Sequence, residues 1–304
     1  MATTTTALRR KIGSAGDLKS VVRTMKASAA SAIGQYERSV AALSDYARTV
    51  ELGLGVCLRS TAQDGLSAGI PPGPADDTAA HAVVFGSDQG LVGRFNERVV
   101  EHAMGHLKAL PANAQVWAVG ERVQERLLDA GLPPVGSFAV PGSVELITRL
   151  VGQILMAVQA PDGERTGQAQ RQTLMLFYNR PTGSGYAPVS QRLLPLDEHW
   201  RRELAGRPWP TARRPEVLGT GPQALLAFIR EHLFVSLFRA SAESLASENA
   251  SRLAAMQRAD RNIGELLAEL RAQFHRTRQS GIDEELFDVV AGFDAMSPQV
   301  ATRG

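Results

Sequence analysis

The chain has 304 residues, 44% of them apolar and 21% charged, with a formal net charge of +2. That is the composition of a folded chain with room for one large domain or two modest ones. A single cysteine, Cys57, excludes a disulfide framework and a cysteine metal cluster, and no run of about 18 apolar residues offers a membrane span. The first residues, with Arg9, Arg10 and Lys11 and no apolar core, are not a secretory signal. The expectation is a protein of a reducing compartment that meets a membrane only through a partner.

From Leu18 the apolar residues step by four and three: Leu18, Val22, Met25, Ala29, Ala32, Tyr36, Val40, Leu43, Ala47, Val50 and Leu54. This is a heptad seam with one extra step of four between Tyr36 and Val40, a stutter of the kind that locally unwinds a supercoil. Asp17 is the expected cap or first-turn acid, and residues 1–58 form the expected N-terminal coiled-coil helix. The alternative is an ordinary amphipathic helix packed on its own domain. This segment is also basic, but its charges scatter around the helix with few residues able to read bases, so it reads as a solvated or protein-facing collar rather than a nucleic-acid site.

Residues 59–80, rich in Gly, Pro, Ser and Asp and without periodicity, form an expected linker. Residues 81–219 then alternate short apolar runs with helical patterns. Strands are expected at His81–Gly86, Gln115–Val119, Thr173–Tyr178 and Ala187–Leu196. Helices are expected from Asn96 to Leu107, Glu121 to Ala130 and Ser143 to Gln159, and Trp200 to Pro222 as a polar connection. This is the grammar of a parallel or mixed sheet with helices on its faces, a Rossmann-like α/β domain. Gly86, Gly90 and Gly93 stand between the first strand and helix, where a phosphate loop would be. Their spacing fits neither the dinucleotide fingerprint nor a GxxxxGK[ST] loop, no Lys follows, and Asp88 would repel phosphate. His102 and His106 are spaced like zinc ligands, but no third ligand is evident. No catalytic constellation and no cofactor or metal site is expected.

From Gln223 to Ser297 there is no proline, and Gly264, Gly281 and Gly292 are the weak points of an expected helix over 220–297. At the usual rise it spans roughly 110 Å. Its first half is apolar on several sides, from Leu225 to Phe238. It then thins to one stripe through Leu245, Leu253, Met256, Ile263, Leu270 and Phe274, and ends in basic and acidic turns around Arg278 and Glu285. The simplest assembly is a long antiparallel coiled coil of the first and last helices with the α/β domain inserted between them.

Several blocks then resemble one family, the gamma subunits of F-type ATP synthases. Arg9-Arg10-Lys11-Ile12 and Val21-Val22-Arg23-Thr24-Met25 resemble its "RRI…ITKAM" block, and Ser87 to Gly93 is similar to its "TDRGLCG" loop. Leu193 to Leu196 resembles its "LLPL" strand. Ala246 to Met256 is close to "ASEQAARMVAM", and Arg278-Gln279 with Ile282, Glu285-Leu286, Val290 and Gly292 resembles its last segment.

The resemblance implies a non-catalytic rotor shaft that couples ion flow to ATP synthesis or hydrolysis. Its partners would be the ring of alpha and beta subunits, the epsilon subunit and the c-ring, on the cytoplasmic side of a bacterial inner membrane. It implies contacts with the alpha/beta ring at Met25, Lys26, Arg252, Arg278, Gln279 and Glu285. There are departures: Val92 stands for the family's loop Cys, Ala27 for a Met, Ala32 for a Lys and Asp283 for a Thr, while Asp260 and Arg261 displace an Asp that would precede Asn262. These suit a second, divergent bacterial ATPase of the N-type. The other readings are a Rossmann-like nucleotide-dependent enzyme with helical dimerisation arms, and a coiled-coil scaffold or nucleic-acid binder.

Overall fold

A computed structural model describes residues 4–63, 79–108, 114–159, 172–183, 185–213, 215–217 and 221–296. The chain begins with helix α1 (Thr5–Gln63), and helix α6 (Gly221–Met296) closes the described part. Between them come β1 (Ala79–Phe85), α2 (Phe95–Leu107), β2 (Gln115–Val119), α3 (Glu121–Asp129), β3 (Gly136–Phe138), α4 (Val144–Gln159), β4 (Gln172–Thr182), β5 (Gly185–Leu194) and α5 (Glu198–Gly206). The fold is mixed α/β with long first and last helices. Residues 64–78 of the expected linker, and Ser297 at the expected end of the last helix, lie outside the described residues.

Two compact units divide the chain: residues 1–28 with 254–304, and residues 29–253. In the second unit one sheet runs in the order β3-β2-β1-β4-β5. Its first four strands are parallel, and β5 is antiparallel to β4. Alternate residues of β1 face opposite sides, as the pleat requires. Ala82 and Val84 join Val99, Val100, Val123, Leu127 and Phe177 under α2 and α3. Val83 and Phe85 join Leu174, Leu176 and Tyr178 beneath Ile147, Val151 and Ile154 of α4 and Leu237, Leu245 and Ala246 of α6. Both faces are covered, so β1 reads as an unbroken apolar run rather than an alternating one.

The parts of α1 and α6 that belong to this unit pack on each other. Ala47 and Val50 meet Val235, and Leu54, Cys57 and Leu58 meet Leu225 and Leu204. Gly53 permits the close approach, because a Cβ there would lie 2.2 Å from the Phe228 ring. In the first unit Ala15 and Val22 of α1 pack with Met256, Ile263 and Leu267 of α6, and Ile12, Met25, Ala255 and Ala259 border them. Further contacts climb one helix while descending the other: Arg9 lies over the Phe274 ring at 5.7 Å, and Lys26 reaches Asp260 at 3.1 Å.

Four sequence expectations need correction. Helix α1 runs from Thr5, so Asp17 lies inside it rather than capping it, and its seam starts at Leu8 rather than Leu18. Leu8, Ala15, Val22, Ala29 and Tyr36, each seven residues on, are buried, whereas Leu18 is 53% exposed. Gly13 and Gly16 disguised this start, yet both sit where a Cβ would meet nothing, so a helix tolerates them. Helix α1 also continues to Gln63, past the expected linker start, because Thr61 is buried and its hydroxyl donates to the Cys57 carbonyl at 2.7 Å. Within the expected polar connection, Asp197 accepts from the Trp200 amide at 2.9 Å and caps α5, whose Leu204 is buried. Finally β3, three residues long, falls below what periodicity can detect.

Val22 sits 5% exposed in the first unit's seam. Val22→Asp places an unpaired carboxylate there and is expected to cost about 3–5 kcal/mol. Limited proteolysis should then cut within residues 1–28 while the sheet unit keeps its protection; unchanged resistance would show that the seam does not hold this unit together.

Candidate functional site

The loop after β1 is the first place to look for chemistry, since it links a strand to a helix in a parallel sheet. Its backbone is tightly held. A Cβ on Gly86 would lie 2.3 Å from Val123, and Gly93 has φ 58°, in the left-handed region that glycine adopts freely. Asn96 of α2 accepts from the Ser87 amide at 3.0 Å and donates to its hydroxyl at 2.9 Å. Asp88 accepts from the Glu121 amide at 3.0 Å and the Val140 amide at 2.9 Å. The protein's own carboxylate thus occupies the N-terminus of α3 and satisfies the donors that could hold an anion there.

The histidine pair is likewise absorbed by structure. The rings of His102 and His106 lie 4.5 Å apart. His106 sits 3.0 Å from the His102 carbonyl and 3.2 Å from the Ser190 hydroxyl. Burial, helped by the neighbouring His106, lowers the His102 pKa and keeps it neutral. Among the described residues no cluster of three metal-ligating side chains exists.

The most unusual chemistry lies along α6. From Val235 to Ser251 this helix is covered on almost all sides, and its buried face carries Ser236, Ser241, Ser244, Ser247 and Ser251 as well as apolar residues. Glu248 sits among them, 5% exposed, paired with Arg252 at 2.7 Å one turn on. Arg252 also reaches the Asn249 side chain at 3.5 Å, and its side chain is 14% exposed. Burial raises the Glu248 carboxyl above its ordinary range, and the Arg252 charge only partly opposes this. Tyr36 of α1 is buried here too, its phenol pushed up first by burial and then by the charge of Glu248. Ser251 donates to the Val92 carbonyl, which ties α6 to the loop after β1.

In the first unit Lys26 reaches Asp260 at 3.1 Å, and Arg23 lies 3.9 Å from the same carboxylate. The hydrogen bond from Lys26 holds the Asp260 carboxyl below its ordinary range, against a smaller opposing effect of burial. Asp260, not its exposed neighbour Arg261, faces α1, so the displaced acid noted in the sequence serves this clasp. Further along α6, Arg278, Gln279 and Glu285 are exposed. So are Ile282, Leu286, Phe287, Val289 and Val290, between 49% and 72%. At steps of four and three to four, Ile282, Leu286 and Val289 or Val290 form an apolar stripe on one helical face.

The six residues singled out from the sequence therefore fall into different settings. Met25 is half-buried against the first unit's seam, Lys26 is engaged with Asp260, and Arg252 is engaged with Glu248. Arg278, Gln279 and Glu285 are open to solvent. Glu248 and Asp88 were not singled out as structural partners. The i,i+4 spacing of Glu248 and Arg252 was the available signal, though nothing local showed that the pair is buried.

The sequence profile of one family, described as ATP synthase, matches residues 4–296. The chain belongs to the ATP synthase family, and its relatives are gamma chains. The ATP synthase gamma chain of Methylibium petroleiphilum is 27% identical over 297 residues, covering 95% of this chain and 98% of that one. The gamma chain of Anaeromyxobacter is 25% identical over 307 residues, again covering 95% and 98%. Among solved structures, the rotor of the Euglena gracilis mitochondrial ATP synthase matches with TM-score 0.60 at 14% identity, over 91% of this chain and 98% of that one. The Tetrahymena thermophila central stalk matches with TM-score 0.54 at 19% identity, over 79% and 99%. These last two are likenesses of fold. Among the described residues no helix is long and apolar enough to cross a membrane.

For this chain the two ion pairs give distinct expectations. Arg252→Met strands Glu248 and should cost about 3–5 kcal/mol, whereas Glu248→Leu with Arg252→Met should recover most of that loss. Thermal unfolding of both variants checks this, and a double variant no better than the single would show that the pair adds net stability. Because the Asp260 carboxyl is held low, its contribution is present above the ordinary carboxylate range and fades as pH falls through the lowered value. Asp260→Asn should therefore melt below the parent at pH 7, and the gap should narrow as pH falls below the ordinary carboxylate range.

Proposed function

We propose that this chain is the central-stalk rotor of a bacterial ATP synthase, a coupler with no catalytic site and no cofactor of its own. In this reading α1 and α6 form an antiparallel coiled coil that turns inside the ring of alpha and beta subunits. The sheet-bearing region, residues 81–219 between coil segments 1–58 and 220–297 and joined to the first by the linker at 59–80, rests with the epsilon subunit on the c-ring. The complex is attached to the cytoplasmic side of the inner membrane, which this subunit meets only through partners. It has no nucleic-acid partner.

The observation that carries this reading is the end of α6. Ile282, Leu286, Phe287, Val289 and Val290 leave an apolar stripe open, beside exposed Arg278, Gln279 and Glu285. No residue among those described covers it. An apolar face of this size on one helix calls for a partner that surrounds or lines it. A ring of subunits does so, with the polar residues beside the stripe making contacts that can be formed and released.

The physics of coupling then follows from asymmetry. A single chain cannot present the same face to three copies of a beta subunit. Each copy is biased between open and closed states by its own contact energy with the shaft, and turning the shaft exchanges the three. The proposed contacts are Met25, Lys26, Arg252, Arg278, Gln279 and Glu285. In this chain Lys26 and Arg252 have internal partners, so they contribute chiefly by fixing the helix surface, while the last three meet the ring directly. A nucleotide-dependent enzyme is the weaker reading, because the loop after β1 carries the acid Asp88, which is bound to the Glu121 and Val140 amides, and has neither the glycine spacing nor the lysine of a phosphate loop.

Purification from source cells should recover the chain stoichiometrically with a hexamer of nucleotide-binding subunits and a small epsilon-like partner; recovery only as a homo-oligomer would refute the rotor reading. Replacing Leu286 and Phe287 together by Ser should leave the unfolding free energy of the free chain within about 0.5 kcal/mol of the parent, as for exposed sites. The same change should weaken its retention in the alpha/beta ring and lower coupled ATP synthesis several-fold.

A further inference from the structure

A cavity of about 280 Å³ opens in the sheet-bearing unit, walled by α1, β4, β5, the start of α5 and α6. Its charged lining is Glu51, Arg180, Arg192, Asp197 and Arg239, with His232 among them. The acids are already committed. Asp197 pairs with Arg192 at 3.3 Å, and Glu51 with Arg207 at 3.0 Å. Arg180 is taken by Glu243 at 2.9 Å. Arg239 is left over. Its Nε is shut off from solvent, and among the described residues its guanidinium has no acceptor.

A buried donor without an acceptor costs free energy, and the Nε of the half-buried Arg239 is such a donor. The surroundings make that cost real. His232 is stacked on Trp200, with centroids 4.7 Å apart, and Val50, Leu193 and Val235 supply apolar wall. Burial lowers the His232 pKa, which Glu51 opposes and the Arg239 charge reinforces, so the imidazole there is neutral and able to donate one N–H. The cavity lies below the usual size of sites for drug-sized ligands, about 300–1,000 Å³, and suits a small ion with its waters rather than a nucleotide. A guanidinium fork is matched to the paired oxygens of phosphate or carboxylate.

We propose that this cavity is a binding site for a small oxyanion, phosphate or carboxylate, held by Arg239 with Arg180, Arg192 and His232 around it. The anion supplies the acceptor that Arg239 lacks and neutralises the one cation left unpaired. It joins α6 to β4 and β5 through a single ion, so its occupancy stiffens the sheet-bearing unit. This site does not depend on the rotor reading.

The test uses the full chain in phosphate-free buffer, titrated with sodium phosphate and, separately, sodium acetate, with sodium chloride holding the ionic strength constant. The expected result is a saturable rise in melting temperature with at least one of the two, accompanied by a change in tryptophan fluorescence from Trp200; whichever ion acts at lower concentration identifies the chemistry. Arg239→Met should abolish the saturable rise while melting no lower than the parent in the absence of either ion, since it removes a buried N–H donor that has no acceptor among the described residues. Arg239→Lys, which keeps the charge but loses the fork, should raise the half-saturating concentration at least about ten-fold. The proposal is overturned if neither ion gives a saturable shift beyond chloride, or if Arg239→Met keeps the shift, which would mark an adventitious ion only.

Discussion

A helix with an apolar stripe has to lay that stripe on something, and neither α1 nor α6 can do so alone. This constraint governs the chain. The buried positions of α1 at Leu8, Ala15, Val22, Ala29 and Tyr36 follow a seven-residue step, and Ala47, Val50, Leu54 and Cys57 follow steps of three and four. A surface so regular and so narrow suits another helix rather than a sheet. Met256, Ile263 and Leu267 meet it in the first unit, and Val235 and Leu225 in the second. Because the two helices come from opposite ends of the sequence, everything between them is an insertion, and the sheet must begin and end where the helices leave it.

The insertion in turn imposes something on α6. Over Val235–Ser251 the helix is asked to be a layer of an α/β unit and a partner of α1 at once, so no side is left for water. Serine is the compromise at five of these positions. It is small enough for close packing, and its hydroxyl can turn to a carbonyl, as Ser251 does to Val92. Glu248 and Arg252 are a different solution. Their pairing recovers part of the desolvation cost but not all of it, as the raised Glu248 pKa shows. Because the two stand one turn apart on the same face of α6, they are buried together, and their charges act on the Tyr36 phenol in opposite senses.

How much of this was legible follows from range. Helices α2, α3 and α4 and the central strands β1, β2 and β4 announced themselves by local pattern, since each carries its period within about ten residues. The start of α1 did not, because Gly13 and Gly16 speak against a helix locally and only the buried Leu8 and Ala15 outweigh them. Helix α5 was hidden by the prolines around it, although Asp197 is an ordinary N-cap. Asp88 could be read as unfavourable to phosphate, but not as the partner of the Glu121 and Val140 amides, which are 33 and 52 residues away. The family was legible because its motifs are short runs, while the settings of the residues within them were not.

That last distinction matters most for the residues that stand out in the family pattern. Lys26 and Arg252 carry charge that the chain itself uses, one to clasp α1 to α6 through Asp260 and the other to complete a buried pair. Replacing either disturbs the chain before it can disturb any partner, so loss of activity from such a change does not by itself locate a contact. Arg278, Gln279 and Glu285 have no such obligation, and the apolar stripe beside them has no cover among the described residues. Exposed apolar surface raises the free energy of the separate chain and is recovered on assembly, so selection keeps it only where a partner is bound. On that argument the end of α6 is the described surface whose exposure most calls for a partner.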